Sequence, residues 1–307
     1  MSTVQNLNRV LELIYKKSPF QKKKIEKHLA KRDKQFFDDA EKFIVDYTGY
    51  LESQGISIDE LVDAYLKLCS DMMKSQIEFM KTGEYTVRTS SEAFAGVYNN
   101  QKTMKSYMIG VALSQFLWDT HYDNFNFFSK IIKNYSQNIN SYIEIGPGHG
   151  LFLIKALKNL HNKTKVTVVD ISDTSIAITK SIINHFKPGD ANVEYHNVDI
   201  SHFDDSARYD FITMGEVLEH VDFPEKLLKK LKSLLSDNGR AYVSTCVNCP
   251  AIDHVYHFKT INDIRNMIFR CGLDIEDELV SPVENLPMNE IVDKKITINY
   301  CTMLKKS

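Results

Sequence analysis

Three glycines at alternate positions follow a carboxylate in Glu144-Ile145-Gly146-Pro147-Gly148-His149-Gly150. Glycine lets a backbone turn sharply and approach a ligand with no Cβ in the way. Nicotinamide and flavin enzymes carry such loops too. Here Leu151 stands where the dinucleotide fingerprint wants Gly or Ala. Glu144, two residues before the first glycine, would repel a pyrophosphate and attract a cation. Two more carboxylates close short apolar runs: Asp170 in Val168-Val169-Asp170, and Asp199 in Asn197-Val198-Asp199-Ile200. A carboxylate accepts two donors at once, which suits vicinal hydroxyls, and it accepts equally from an exocyclic amine. Each aspartate also reads as an ordinary helix N-cap or turn residue.

Acid–base chemistry concentrates further on. Glu216-Val217-Leu218-Glu219-His220 holds two carboxylates and an imidazole within one turn, and Asn248-Cys249-Pro250-Ala251-Ile252-Asp253-His254-Val255-Tyr256-His257-Phe258 adds two histidines. His254 is the first candidate general base and His257 the second, with Glu216 a third catalytic candidate. Asp253 could orient a neighbouring imidazole, although adjacent residues rarely face one another. No metal is the favoured reading. A divalent ion would take Glu216, Glu219, His220 and His254 as ligands. Cys246-x-x-Cys249 with His254 and His257 superficially suggests zinc, but a single cysteine pair at short spacing does not make a ribbon or finger.

The elements that must hold these residues change character along the chain. Residues 1–135 read as helices throughout. Ser57-Ile58-Asp59-Glu60 is a capping box. Leu61, Val62, Tyr65, Leu68, Cys69, Met72, Met73, Ile77 and Met80 then mark one helical face, and Gly83 a stop. Phe36 to Tyr47 marks an earlier helix and Lys102–Trp118 a later one, and Thr120-x-x-Asp123 could cap another. From Ser141 short strands alternate with helices: Tyr142–Ile145, Val166–Asp170, Val193–Val198, Phe211–Met214 and Ala241–Thr245, with helical patterns near 150–160, 173–186, 223–236 and 260–271. That alternation demands a parallel sheet with helices on both faces. Leu273–Val280 and Lys295–Leu304 read instead as two strands joined by a loop without a helix, an antiparallel hairpin at one edge and foreign to the nicotinamide fold. The expected fold is therefore α/β, a Rossmann-like seven-stranded sheet with its last strand antiparallel, behind an all-α N-terminal domain. Domains are expected at 1–135 and 136–307.

The loop, the acids that follow it and the terminal strands together resemble the class I S-adenosylmethionine-dependent methyltransferases over roughly residues 136–307. The segment Glu216–His220 resembles that of ubiquinone-biosynthesis O-methyltransferases, and more loosely a metal-holding Glu-x-x-Glu-His of plant small-RNA 2′-O-methyltransferases. The resemblance implies S-adenosylmethionine as cofactor, held by Glu144, Gly146, Gly148 and Gly150, with Asp170 and Ile171 at the ribose, Asp199 and Ile200 at the adenine, and Gly215 and Glu216 near the methionine end. It also implies that the loop after the fifth strand, with Asn248, faces the transferred methyl. A segment N-terminal to the core would cover the cofactor as a lid and build the acceptor pocket. Arg88, Tyr98, Tyr107, Trp118, His121 and Tyr122 are the candidates there, through aromatic faces that attract a sulfonium and a guanidinium that meets a carboxylate.

Composition narrows the partners. Hydrophobic residues make up 43% and charged residues 25% of the 307, and the formal net charge of -2 points to neither nucleic acid nor an anionic membrane. No run approaches the roughly 20 apolar residues of a membrane span. The N-terminus lacks a signal-peptide pattern and the five cysteines read as reduced thiols, so a cytoplasmic protein is expected. The expected partner is a small metabolite or natural-product acceptor, with O, N or C methylation and a homodimer both open. RNA 2′-O-methylation through the basic run Lys16–Lys34, a catalytically inactive cofactor-binding regulator and a nicotinamide oxidoreductase are the alternatives.

Overall fold

The computed structural model describes residues 4–190, 192–204 and 206–307. Its N-terminal part is helical: α1 (Gln5–Lys17), α2 (Gln21–Leu29), α3 (Lys34–Ser53), α4 (Ile58–Thr82), the short α5 (Ser90–Ala93) running into a π turn at Phe94–Tyr98, α6 (Gln101–Leu117) and α7 (Asp119–Tyr135). The capping box at Ser57 forms, with Glu60 N donating to the Ser57 hydroxyl and Ser57 N to the Glu60 carboxylate, and Gly83 ends α4 in the left-handed conformation. The aromatic stretch 115–128 spans two helices, as the expected helix end at Trp118 implies. The chain breaks at Trp118, whose backbone is extended, and Thr120 lies inside α7 instead of capping it. The break is held from outside: His28 hydrogen-bonds the Phe116 carbonyl through Nε2 and the Asp119 carboxylate through Nδ1.

Beyond α7 the chain alternates β1 (Ser141–Ile145), α8 (Leu151–Leu157), β2 (Lys165–Asp170), α9 (Asp173–Phe186), β3 (Val193–Asn197), β4 (Tyr209–Gly215), α10 (Pro224–Leu234), β5 (Leu235–Val247), α11 (Ile261–Arg270), β6 (Leu273–Pro282), α12 (Met288–Asp293) and β7 (Ile298–Lys306). The strands form one seven-stranded sheet, ordered β3-β2-β1-β4-β5-β7-β6. β1 to β5 run parallel, and β7 pairs antiparallel with both β5 and β6. Two expectations at the terminus need correcting. A helix, α12, stands between the last two strands, because Met288-Asn289-Glu290-Ile291 buries Ile291 against the core beneath β6 and β7. The last strand also starts later, at Ile298, since Lys294 and Lys295 close the α12 turn and Lys295 takes a left-handed φ of 49°.

Two packing facts position the site. Strand order reverses between β1 and β4, so the carboxyl ends of these neighbours open a crevice where the doubly wound fold takes ligands. The helical part also shares its core with helices that flank the sheet: Leu7, Phe36, Tyr47 and Leu113 cluster with Leu151 and Ile154 of α8 and Ile182 of α9. α4 and α6 cross at Gly110, where a Cβ would stand 2.8 Å from the Ala64 carbonyl oxygen, so only glycine lets these backbones approach.

Candidate active site

A cavity of about 1340 Å³ lies between the carboxyl ends of β1, β2, β4 and β5 and the inner faces of α4, α6 and the π turn. Ligand clefts usually measure ~300–1,000 Å³. Of the residues expected at a cofactor, Glu144, Gly146, Gly148, Asp170, Ile171, Asp199, Ile200, Gly215 and Glu216 all line it. Gly150 does not. Its positive φ of 74° starts α8, and a Cβ there would strike Ile182 at 2.8 Å, so this glycine serves packing. Gly146 and Gly148 also have positive φ, and a Cβ on Gly146 would meet Val217 at 2.8 Å.

Each acid at the crevice has a distinct setting. Glu144 is buried and accepts from the Tyr142 hydroxyl at 2.6 Å. Burial pushes its carboxyl up to about 8, against the pull of that hydrogen bond. Asp170 accepts from Ser172 N at 2.8 Å and from the Ser175 hydroxyl at 2.5 Å, and burial raises it to about 6. Asp199 accepts from Ser201 N at 2.8 Å. Both aspartates thus shape a turn and face the cavity at the same time. Buried polar atoms without a partner also mark the cavity: Glu216 Oε1 and Asn124 Oδ1 belong to lining residues and ask for a donor.

After β4 the backbone is strained. Glu216 has φ 53°, held by its N–H on the Ser244 carbonyl at 3.0 Å. Glu219 is fully buried, accepts from the Thr245 hydroxyl at 2.7 Å and leaves Oε1 without a partner. Burial, then mutual repulsion, raises Glu216, and burial raises Glu219, so the pair favours holding a proton over carrying two charges. The Glu219 carbonyl receives Val255 N at 2.8 Å and Tyr256 N at 2.9 Å, which ties the loop after β5 to this turn.

The histidines sort differently from the sequence expectation. His254 is buried, and its Nδ1 donates to the Cys249 carbonyl at 2.6 Å. Burial opposes its charge, but the Cys249 thiol and the carboxylates of Glu219 and Asp253 outweigh it and raise His254; the Cys249 thiol is lowered by Cys246 and His254. These neighbours favour a His254 that keeps its proton, and with Nδ1 spent on a carbonyl that ring suits donating more than accepting. His257 is outside the cavity lining, with Nε2 on the Asn248 side-chain oxygen at 2.7 Å and its ring beside Tyr85. Asn248 is outside the lining too. His220 lines the cavity, and burial lowers it, which keeps it neutral near pH 7. Its Nδ1 lies 3.0 Å from the Asp253 carbonyl and 2.8 Å from the Tyr98 hydroxyl, whose own proton goes to Asp253 Oδ2 at 3.0 Å. This network assigns the proton to Nδ1 and leaves Nε2 with its lone pair. Asp253 therefore orients His220 across the loop instead of its neighbour His254, with Tyr107 donating to the other carboxylate oxygen at 3.2 Å.

Trp118, His121, Tyr98 and Tyr107 line the cavity; Arg88 and Tyr122 do not. Arg88 is exposed and pairs with Glu84, and Tyr122 packs under the Arg32 guanidinium. Much of the basic run is paired as well: Lys17 with Asp59 and Asp63, Lys31 with Asp119, Arg32 with Asp119 and Asp123. Glu219, His220 and His254 bring one potential ligand atom each within 4.8 Å of one another, as do Cys246, Cys249 and His254. These donor sets could admit a divalent ion, but Thr245 already uses one oxygen of Glu219, and a backbone carbonyl uses Nδ1 of each histidine. Sequence reading misses the tie of Ser90 N to Asp222 at 3.1 Å, and the turn of the lower half of α4 into the cavity. The first has no local signal. The second shows in the sequence only as an apolar helical face, which a buried stripe shows equally.

A family model described as a methyltransferase domain matches residues 118–270. A ubiquinone biosynthesis O-methyltransferase of Coxiella burnetii is 35% identical over 104 residues, which is 34% of this chain and 42% of that protein, so the chain spans less than half of this curated relative. A tRNA U34 carboxymethyltransferase of Campylobacter curvus is 27% identical over 51% of each chain. Among solved structures, the N-methyltransferase NodS of Bradyrhizobium japonicum in complex with S-adenosylhomocysteine superposes with a TM-score of 0.52 at 13% identity, over 67% of this chain and 97% of that one. At that identity the likeness is one of fold. Among the described residues no helix is long and apolar enough to cross a membrane.

Proposed function

We propose, from the premise that this chain belongs to the class I S-adenosylmethionine-dependent methyltransferases, that it methylates a small-molecule acceptor enclosed between a catalytic domain, residues 136–307, and a helical acceptor-binding part, residues 1–135. The observation that carries this reading is the shared cavity. Cofactor-type acids line one side, a neutral histidine stands at its inner end, and helices close the other side.

Asp170 would accept from the ribose hydroxyls through the lone pairs its two turn hydrogen bonds leave free, and Asp199 would accept from the adenine amine through the oxygen its turn does not use. Glu144, Gly146 and Gly148 would take the methionine end, where an approaching ammonium favours the ionised carboxyl. Bound S-adenosylmethionine supplies an activated methyl on a sulfonium. The leaving group needs no acid, so the protein has to align the nucleophile and exclude water. His220 Nε2 would take the proton of an acceptor hydroxyl or ammonium as the new bond to carbon forms. Asp253 and Tyr98 hold its tautomer. His254 and Glu216, both in the cavity lining and both favoured in their protonated forms, would supply donors there.

The test is calorimetric titration of S-adenosylhomocysteine into wild type and Asp170→Ala. Micromolar binding lost in the variant supports the reading. Absence of binding to wild type would overturn it.

A further inference from the structure

α4 does two jobs along one stripe. Leu61, Val62 and Tyr65 are buried in the helical core, fully or nearly so. The same face continues through Met72, Met73, Ile77 and Met80, but there it lines the cavity, and Met73, Ile77 and Met80 are 44%, 49% and 61% exposed. Phe20, the most exposed large apolar side chain described, faces the same space at 69%. Contiguous exposed apolar surface of this kind marks a binding site more often than an accident of folding. The acids that suit a cofactor lie on the opposite side, at the strand ends, so a bound cofactor leaves this stripe uncovered.

The stripe has two defined ends. Near Cys69 the Trp118 indole donates to the Tyr65 hydroxyl at 3.0 Å. Near Met80 the Tyr85 hydroxyl receives Cys249 N at 2.9 Å, in the loop after β5. Between Cys69 and Met80 the helix rises about 16 Å, at 1.5 Å per residue. Among the described residues five methionines line the cavity: Met72, Met73, Met80, Met104 and Met108. Methionine is unbranched and polarisable, and it moulds to apolar guests of varied shape. A polar metabolite would leave these thioethers wet, and a compact aromatic ring would fill a fraction of the volume.

We infer that the acceptor is an amphiphile: a nucleophilic head at His220 and a flexible apolar chain laid along α4 from Met80 toward Phe20. This rests on the methyltransferase reading and narrows its substrate class. The probes are 4-ethyl-, 4-butyl-, 4-hexyl- and 4-octylphenol, titrated into protein saturated with S-adenosylhomocysteine. Affinity is expected to rise about threefold to fourfold per added methylene. The double variant Met73→Glu/Ile77→Glu, at exposed positions that can carry charge without unfolding the helix, should flatten that slope and leave S-adenosylhomocysteine affinity unchanged. Met288→Glu, at an exposed methionine outside the lining, should keep the slope. Binding independent of chain length, no alkylphenol binding at all, or an equal loss in Met288→Glu would overturn the inference. Failure of S-adenosylhomocysteine to bind wild type would strike the methyltransferase reading itself, so the two failures are separable.

Discussion

On the sheet side of the cavity, Gly146, Asp170 and Glu216 each sit at or just beyond the carboxyl end of a parallel strand, and ladder hydrogen bonds set where they stand. On the helical side, Met72, Met73 and Ile77 hang from α4 with only neighbouring side chains to place them. The sheet side offers carboxylates, tight turns and strained backbone; the helical side offers flexible thioethers and alkyl groups. A ligand shared by many enzymes is met by backbone geometry. An acceptor particular to one enzyme is met by side chains that adjust. A rigid side and an adaptable side thus face each other across a single space, and under the proposed function the reacting atoms would meet where they join, at His220.

That contrast can be broken at several points. The largest effect is expected at the join: His220→Ala should lower kcat by about 10²–10⁴-fold and leave S-adenosylhomocysteine affinity within twofold, whereas His254→Ala should not remove the acidic limb of the pH–rate profile, the rise that follows deprotonation of the base. If His254→Ala alone removes it, the assignment of the base is wrong. Next comes the sheet side itself. Asp170→Ala should weaken S-adenosylhomocysteine binding by about 10- to 100-fold, and retained affinity would show that the carboxylate only shapes its turn with Ser172 and Ser175.

A smaller effect should appear with pH. Free Glu144 holds its proton up to about pH 8, and a cationic ligand beside it favours the ionised form, so binding expels that proton. S-adenosylmethionine affinity should therefore climb between pH 6 and pH 8, by at most about tenfold per unit, and level off above. Glu144→Gln should lose the climb, which titration in two buffers of different ionisation enthalpy would read directly. Smallest is the response to metal: treatment with EDTA, then magnesium, should change S-adenosylhomocysteine affinity less than twofold. A larger change would make Glu216, Glu219 and His220 ligands.

Legibility in the sequence follows the same divide. Strand-end acids and the glycine loop are local signals at fixed spacing, so residue type and position alone pick out Glu144, Gly146, Asp170 and Asp199, and the order of strands and helices between them. Gly150 misleads because a glycine needed for helix packing looks like one needed for a ligand. His220, His254 and His257 cannot be ranked from sequence, since their roles depend on which carbonyl or carboxylate each nitrogen meets across a loop. Asp253 reaches His220 from 33 residues away along the chain. The apolar run of α4 is legible as a helical face, but a buried stripe and a ligand-facing stripe have the same periodicity. Only the missing partner of its lower half tells them apart. The break near Trp118 is legible as a helix end, but what holds it is not, because His28, some 90 residues earlier, supplies the contacts.

Tyr98 touches both sides of the chemistry. Its carbonyl receives the Ser172 hydroxyl at 3.1 Å, in the turn that Asp170 builds, and its own hydroxyl fixes the tautomer of His220. Anything that steadies the Asp170 turn also steadies the proton acceptor, and the reverse holds by the reciprocity of linked equilibria. Under the proposed function the two substrates would therefore communicate through one tyrosine. A cofactor seated first leaves the base already aimed, so the enzyme should bind its substrates in a preferred order, and Tyr98→Phe should let them arrive in either order.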